Sequence, residues 1–441
     1  MFTKKRIIWF LSIFIIITIV FISNDHQKSI KSGKDIMMYI ATDIHYFPKS
    51  LTDYSDGYEE FATPRDGKQL FYIEDIMDAF VNEIEIGKPD ILVVSGDLTN
   101  NGEKESHNEL SIKFKDIERI GTQVFVIPGN HDLLSIWARG YKEGAAYGVD
   151  SINHKEFEDI YGEFGYKEAI SRDEKTLSYL AAPSDDVWLL MIDSNKYFAD
   201  YGMPTNSGII TPETLQWIKE CSSLAKKNNA ELITVMHHNL IPHSTRMSDG
   251  NTIDNSKEVI EVFKELGLNL TFSGHIHIQD IKADNEENPL IYDVVNSALC
   301  VYPQQYGVLK YSPKDGYDYN KSKIDVDNWA LEQNLKDDNL LGFMEYSKES
   351  FGRRPYDNAV AELVNIGTYT NDEIEDIANL VTDLNLRLFE GTINSIKNEL
   401  FATPLYKKFI NIESEYLYDF VYSMVHNGSI DSSNLKIPNQ N

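Results

Sequence analysis

The sequence predicts an α/β fold followed by a helical appendage, and three observations carry that prediction. Short apolar runs alternate with segments of helical period between Met37 and Tyr311. Several of those runs end in a short polar motif. Beyond about Lys321 the strand-like runs stop, and apolar residues recur at helical spacing in a background rich in Asn, Glu and Asp.

Taken in order, Met37 to Ala41 reads as a strand. Leu70, Ile73, Ile76, Met77, Phe80 and Ile84 recur every three or four residues, a helix facing a core, and Gly87-Lys88-Pro89 ends it. Asp90 to Val94 is then a buried strand, Lys104 to Ile120 a polar helix and Val124 to Ile127 another strand. Further strands are predicted at Leu177 to Ala181, Val187 to Ile192, Leu232 to Met236, Asn269 to Phe272, Ile291 to Val295 and Gly307 to Tyr311. Helices fit between them at Pro212 to Lys227 and Lys257 to Leu266. In the appendage, Ala359, Leu363 and Ile366 form one apolar stripe, and Ile377, Leu380, Leu384 and Leu388 another. The tail from Asn427 reads as disordered. The domain expectation is therefore 1–34 as targeting segment and tether, 35–320 as the α/β domain and 321–441 as helical domain and tail.

Lys4, Lys5 and Arg6 precede an apolar run from Ile7 to Ile22, the pattern of an export signal. The run is about 16 residues, between a signal core and a full span of roughly 20. No small-residue cleavage site comes after it, so an uncleaved anchor is favoured, with the basic cluster cytoplasmic and a cleaved signal as the alternative. Either way the catalytic part lies outside the cytoplasm, anchored or secreted.

The net charge of the 441 residues is −28, which repels nucleic-acid backbones and excludes polymer binding by counterion release. A phosphorylated small molecule is repelled too, unless cations make the site locally positive. The two cysteines, Cys221 and Cys300, lie in apolar or amphipathic stretches and read as buried thiols.

Five strand-end motifs carry chemistry: Asp43-Ile44-His45, Gly96-Asp97, Gly129-Asn130-His131-Asp132, His237-His238 and Gly274-His275-Ile276-His277. Singly, most are weak, because Asp-x-His and Gly-Asp are common in turns. Together, five motifs of metal-ligand type after five buried strands are hard to explain by packing. This ordered set resembles the calcineurin-like metallophosphoesterase superfamily over about residues 37 to 300. Within it the chain looks like the cyclic-nucleotide phosphodiesterase branch, and like exported bacterial members with a helical C-terminal segment.

The resemblance implies a four-layer fold, a two-sheet β-sandwich flanked by helices. It implies that Asp43, His45 and His277 hold one metal, that Asn130, His237 and His275 hold a second, and that Asp97 bridges them. The donors suit two divalent transition-metal ions, manganese, iron or zinc, since no thiolate is offered. His131 would be the catalytic histidine. Asp132 would orient it or cap the turn, and His238 would support the ligands from behind. Purple acid phosphatases place a tyrosine three residues after the bridging aspartate; here Asn100 stands there, so an iron-tyrosinate site is not expected. Asn100 and Asn101 either touch substrate or cap a loop. The insertion Leu133 to Tyr166, with Trp137, Arg139, Tyr141 and His154, lies next to His131 and is placed to cover the site. Tyr46 and Phe47 read as core rather than as a stacking surface.

The implied reaction is hydrolysis of a phosphate ester by a hydroxide that two metals activate, with a 3′,5′-cyclic nucleotide as the favoured substrate. A glycerophosphodiesterase or phosphomonoesterase carries the same motifs, and a tethered interaction protein with a vestigial site is the reading from another class. The oligomeric state is left open.

Overall fold

The computed structural model describes residues 29–63, 67–197, 204–246, 249–285, 288–428 and 431–439. The expected signal segment lies outside these residues, and no described helix is long and apolar enough to cross a membrane.

Two sheets are stacked between helices. The first runs in the order Asn434–Ile437, Gly316–Lys323, Gln305–Ser312, Ile36–Ala41, Ile91–Ser95, Gln123–Ile127. Its last three strands are parallel, with Met38 opposite Ile91 and Ile91 opposite Gln123. The second runs Asp280–Ala283, Tyr292–Val295, Leu270–Ser273, Glu231–Met236, Val187–Ile192, Tyr179–Ala181, Ser171–Arg172. The central strands are covered on both faces, which is why Ile91–Ser95 and Val187–Ile192 are apolar without alternation.

The pleat assigns each side chain of the second sheet to a layer. Leu189, Met191, Ile233, Val235, Phe272 and Val294 face the first sheet, in a core that continues through it to the helices Ile73–Gly87 and Lys104–Arg119. Leu190, Ile192, Leu232 and Met236 face the other way, onto the helices Pro212–Lys227 and Ser256–Leu266. The order helix, sheet, sheet, helix is the four-layer arrangement expected. Thr211 starts the helix at Pro212 by accepting from Thr214 N, with proline at the first turn.

The helical segment packs onto one end of this sandwich. Ile276, Ile278 and Val295 share a core with Ala359, Leu363, Ile377, Leu384, Leu388 and Val421. Thr370 and Glu373 form a capping box at the start of the helix Asn371–Glu390.

Three sequence expectations are corrected. The tail is ordered in part: Asn434–Ile437 pairs antiparallel with Gly316–Lys323 and becomes the edge of the first sheet. That partner strand crosses the expected boundary at 320/321, since ladder bonds to Gln305–Ser312 continue to Lys323. The expected tether region does not stay clear of the domain up to residue 34: Ile30 N donates to Pro183 O and Gly33 N to Asp186, so residues 29–33 are docked on it.

Candidate metal centre

Every motif read from the sequence lies just past the carboxyl end of a strand, three from the first sheet and two from the second. Asp43 follows Ile36–Ala41, Asp97 follows Ile91–Ser95, Asn130 follows Gln123–Ile127, His237 follows Glu231–Met236 and His275 follows Leu270–Ser273. The two sheets thus deliver their side chains to one place from opposite sides. The backbone there is unusual. Asp43, His45, Asp97, His275 and His277 have φ of 49°, 48°, 47°, 68° and 64°. Left-handed backbone costs a non-glycine residue about 1–3 kcal/mol and gathers at functional sites. Here it turns successive side chains inward within very short loops.

Two clusters result. In the first, His45 Nε2 lies 3.3 Å from His277 Nε2. Asp43 Oδ1 lies 3.2 Å from His277 Nε2 and 3.8 Å from His45 Nε2. In the second, His237 Nε2 lies 3.1 Å from His275 Nδ1, 3.1 Å from Asn130 Oδ1 and 3.4 Å from Asp97 Oδ2. Asp97 Oδ2 is also 3.5 Å from His45 Nε2, so it stands between the clusters. Within each trio, Asp43-His45-His277 and Asp97-His237-His275, the candidate ligand atoms lie within 4.8 Å of one another.

This geometry fits metal ions. His237 Nδ1 faces the Ser95 carbonyl at 2.9 Å, and His275 Nε2 faces the Gly250 carbonyl at 3.1 Å. A carbonyl only accepts, so each of those nitrogens carries the proton. His237 Nε2 and His275 Nδ1 then turn lone pairs toward each other, with a carboxylate and an amide oxygen beside them. Acceptors crowded in this way call for a cation. Asp43 Oδ1 repeats the point, being buried and accepting no hydrogen bond among the described residues. Without a cation, the crowding would be relieved by a proton on His237, which a bound metal would displace. Burial opposes charge on His237, yet Asp97 outweighs it and lifts the ring to about 9. Burial also opposes charge on Asp97, but His237, His131 and His45 hold its carboxyl well below the usual range. Burial and the neighbouring His237 push His275 down to about 3. The donors are imidazole nitrogen and carboxylate or amide oxygen, a set suited to divalent transition metals.

His131 stands at the edge of this cluster. Its Nδ1–H donates to the Asn100 carbonyl at 2.8 Å, and its Nε2 lies 4.0 Å from Asp97 Oδ2. Asn100 thus touches the histidine through its backbone. Asp132 does not orient the ring: its carboxylate accepts from Leu98 N, Thr99 N, Thr99 Oγ1 and Gly129 N, so it pins the turn instead. His238 is buried behind His275 at a ring distance of 4.5 Å, with Nδ1 on Ser194 Oγ. Tyr46 and Phe47 are core residues. The insertion forms a hairpin, Arg139–Lys142 with Ala145–Gly148, and its first loop lines a cavity beside His131. His154 begins a helix and packs on Tyr197, away from the ligands.

Two features escaped sequence reading. Lys68 is buried, and its charge helps depress the basicity of both His45 and His131. A lone lysine in a Gly/Gln context gives no signal. The motif glycines are the second. A Cβ on Gly129 would lie 2.2 Å from Asp97 N and Oδ1, and one on Gly274 would lie 2.0 Å from Thr42 Oγ1 and 2.5 Å from Asp43 Oδ2. The ligand loops pack too closely for any side chain at these positions.

Comparison with known proteins agrees with the geometry. Residues 37–279 match the calcineurin-like phosphoesterase family, and residues 325–431 match the C-terminal domain of cyclic nucleotide phosphodiesterase. A protein of Xenorhabdus bovienii, named a probable cyclic nucleotide phosphodiesterase, is 23% identical over 214 residues, covering 48% of this chain and 67% of that one. Among solved structures, a dimetal phosphatase from Danio rerio aligns at 11% identity with a TM-score of 0.46, covering 65% of this chain and 95% of that one. The inner-membrane-complex anchor of Plasmodium aligns at 12% identity with a TM-score of 0.37, covering 66% and 85%. The chain belongs to the calcineurin-like phosphoesterase family and is a metal-dependent hydrolase of phosphate esters.

Proposed function

We propose that the protein is a phosphodiesterase that opens 3′,5′-cyclic nucleotides to nucleoside monophosphates, and that its N-terminal segment holds it outside the cytoplasm. The observation that carries the substrate reading is the match of residues 325–431 to the C-terminal domain of cyclic nucleotide phosphodiesterase. That segment is packed directly against Ile276 and Ile278, which flank candidate ligand His277.

Asp43, His45 and His277 would hold one divalent cation; Asn130, His237 and His275 would hold a second, with Asp97 between them. Such ions, when bound, neutralise phosphoryl charge and activate water near neutral pH. His131 does the proton work. Its Nδ1–H is committed to Asn100, which leaves Nε2 as the atom that takes up a proton and, once protonated, passes it to the leaving 3′-oxygen. Lys68 adds a fixed positive charge to a site embedded in a chain of net charge −28.

Protein beginning at or before Ser29, loaded with manganese or zinc, is assayed on cyclic AMP, sn-glycero-3-phosphocholine and p-nitrophenyl phosphate. The reading expects the highest kcat/KM on cyclic AMP. A higher value on the glycerol diester or the monoester replaces it with that activity. For location, a reporter fused after residue 34 that works only in the cytoplasm overturns the export reading.

A further inference from the structure

The side of the centre next to His131 opens into a cavity of about 310 Å³. Asn101, Asn130, His131, Trp137, Thr205 and Asn206 are among the residues that line it. Trp137 is 63% exposed, whereas Trp188, Trp217 and Trp329 are each at most 9% exposed. An indole left in water beside a catalytic cleft is an unspent apolar surface.

The loop that carries it is held firmly. Arg139 Nη1 donates to the carbonyls of Ile136 at 3.0 Å and Ala138 at 2.7 Å, on either side of the tryptophan. Trp137 N donates to Ser135 Oγ, and Leu134 N donates to Ile152 O at 2.8 Å. The ring is therefore presented on a braced turn rather than on a loose one. Asn101 and Asn206 border the same space, and an amide offers both a donor and an acceptor to a planar polar edge.

We propose that Trp137 is a stacking shelf for the nucleobase of the substrate, placing the sugar and its leaving oxygen at His131. This rests on the cyclic-nucleotide reading and adds the residue that distinguishes a base-bearing diester from an aliphatic one. A flat aromatic face suits a flat aromatic ligand, and the cavity holds about one base and its ribose. A quaternary ammonium group on the indole is the competing occupant.

The metal-loaded protein, W137A and W137F are compared on cyclic AMP, sn-glycero-3-phosphoethanolamine and sn-glycero-3-phosphocholine, with AMP affinity measured by calorimetry. W137A is expected to lower kcat/KM for cyclic AMP about tenfold more than for the ethanolamine diester, chiefly through KM, and to weaken AMP about tenfold. W137F should recover most of both. If wild-type protein does not hydrolyse cyclic AMP but W137A still weakens AMP tenfold, the reaction assignment fails and the shelf stands. Equal losses on all diesters, a loss confined to the choline diester, or unchanged AMP affinity in a variant with wild-type Tm overturns the shelf.

Discussion

His277 and Ile278 are neighbours that serve opposite layers: His277 Nε2 lies 3.2 Å from Asp43 Oδ1, while Ile278 is buried with Leu363, Ile377 and Leu384 of the C-terminal helices. One short loop therefore presents a ligand to the metal centre and an anchor to the helical segment. Removal of everything from Val326 onward is expected to uncover Ile276, Ile278 and Val295, lower Tm and reduce metal occupancy together. Leu363→Ala is the milder version, with an expected loss of about 2–5 kcal/mol in unfolding free energy. A truncated monomer with unchanged Tm and full metal content would sink the coupling.

His131→Ala should separate catalysis from metal binding. The ring donates to Asn100 and is not in either ligand trio. The expected result is a fall in kcat of roughly 10²–10³ with metal content intact. Unchanged turnover in metal-replete variant protein would remove His131 from the reaction.

His107 supplies a pH test away from the ligands. It is buried, and burial pushes its ring down to about 3. Nε2–H donates to Asp132 O at 2.9 Å and Nδ1 meets Tyr161 OH at 2.9 Å, so the neutral form is built in. Folded protein then binds fewer protons here than unfolded protein between about pH 3 and 6.5. This contribution is fully present above about 6.5 and is lost as pH falls through that window. His107→Gln is expected to flatten the acid side of the stability profile by up to about 1.4 kcal/mol per pH unit. Parallel profiles for the two proteins, measured by urea unfolding from pH 5 to 7, would contradict the assignment.

The centre was legible in sequence because its ligands are polar residues placed directly after apolar strands. Ile91–Ser95 and Leu270–Ser273 are unmistakable runs, and the polar residues that follow them, Asp97, His275 and His277, have no packing role to explain them. Elements at or next to sheet edges were not legible. Asp280–Ala283, Gly316–Lys323 and Asn434–Ile437 are short or polar, and only their ladder partners define them as strands. The supports of the site were hidden for a different reason. Asn100 and Gly250 act through backbone carbonyls, which carry no side-chain signature. Asp132 could be flagged from its position, but its choice of Leu98 and Thr99 over His131 depends on the folded turn. The exposure of Trp137 is likewise a property of the loop, not of the residue.

Asp97 is placed to join two cation sites, since its Oδ2 lies 3.5 Å from His45 Nε2 and 3.4 Å from His237 Nε2. Elemental analysis of purified wild type and Asp97→Ala, after dialysis against metal-free buffer, tests it most directly. About two transition-metal ions per wild-type chain are expected, as a two-metal hydrolase needs, with loss from both sites in the variant. Full metal content in Asp97→Ala, or a single ion in the wild-type protein at saturating metal, would contradict it.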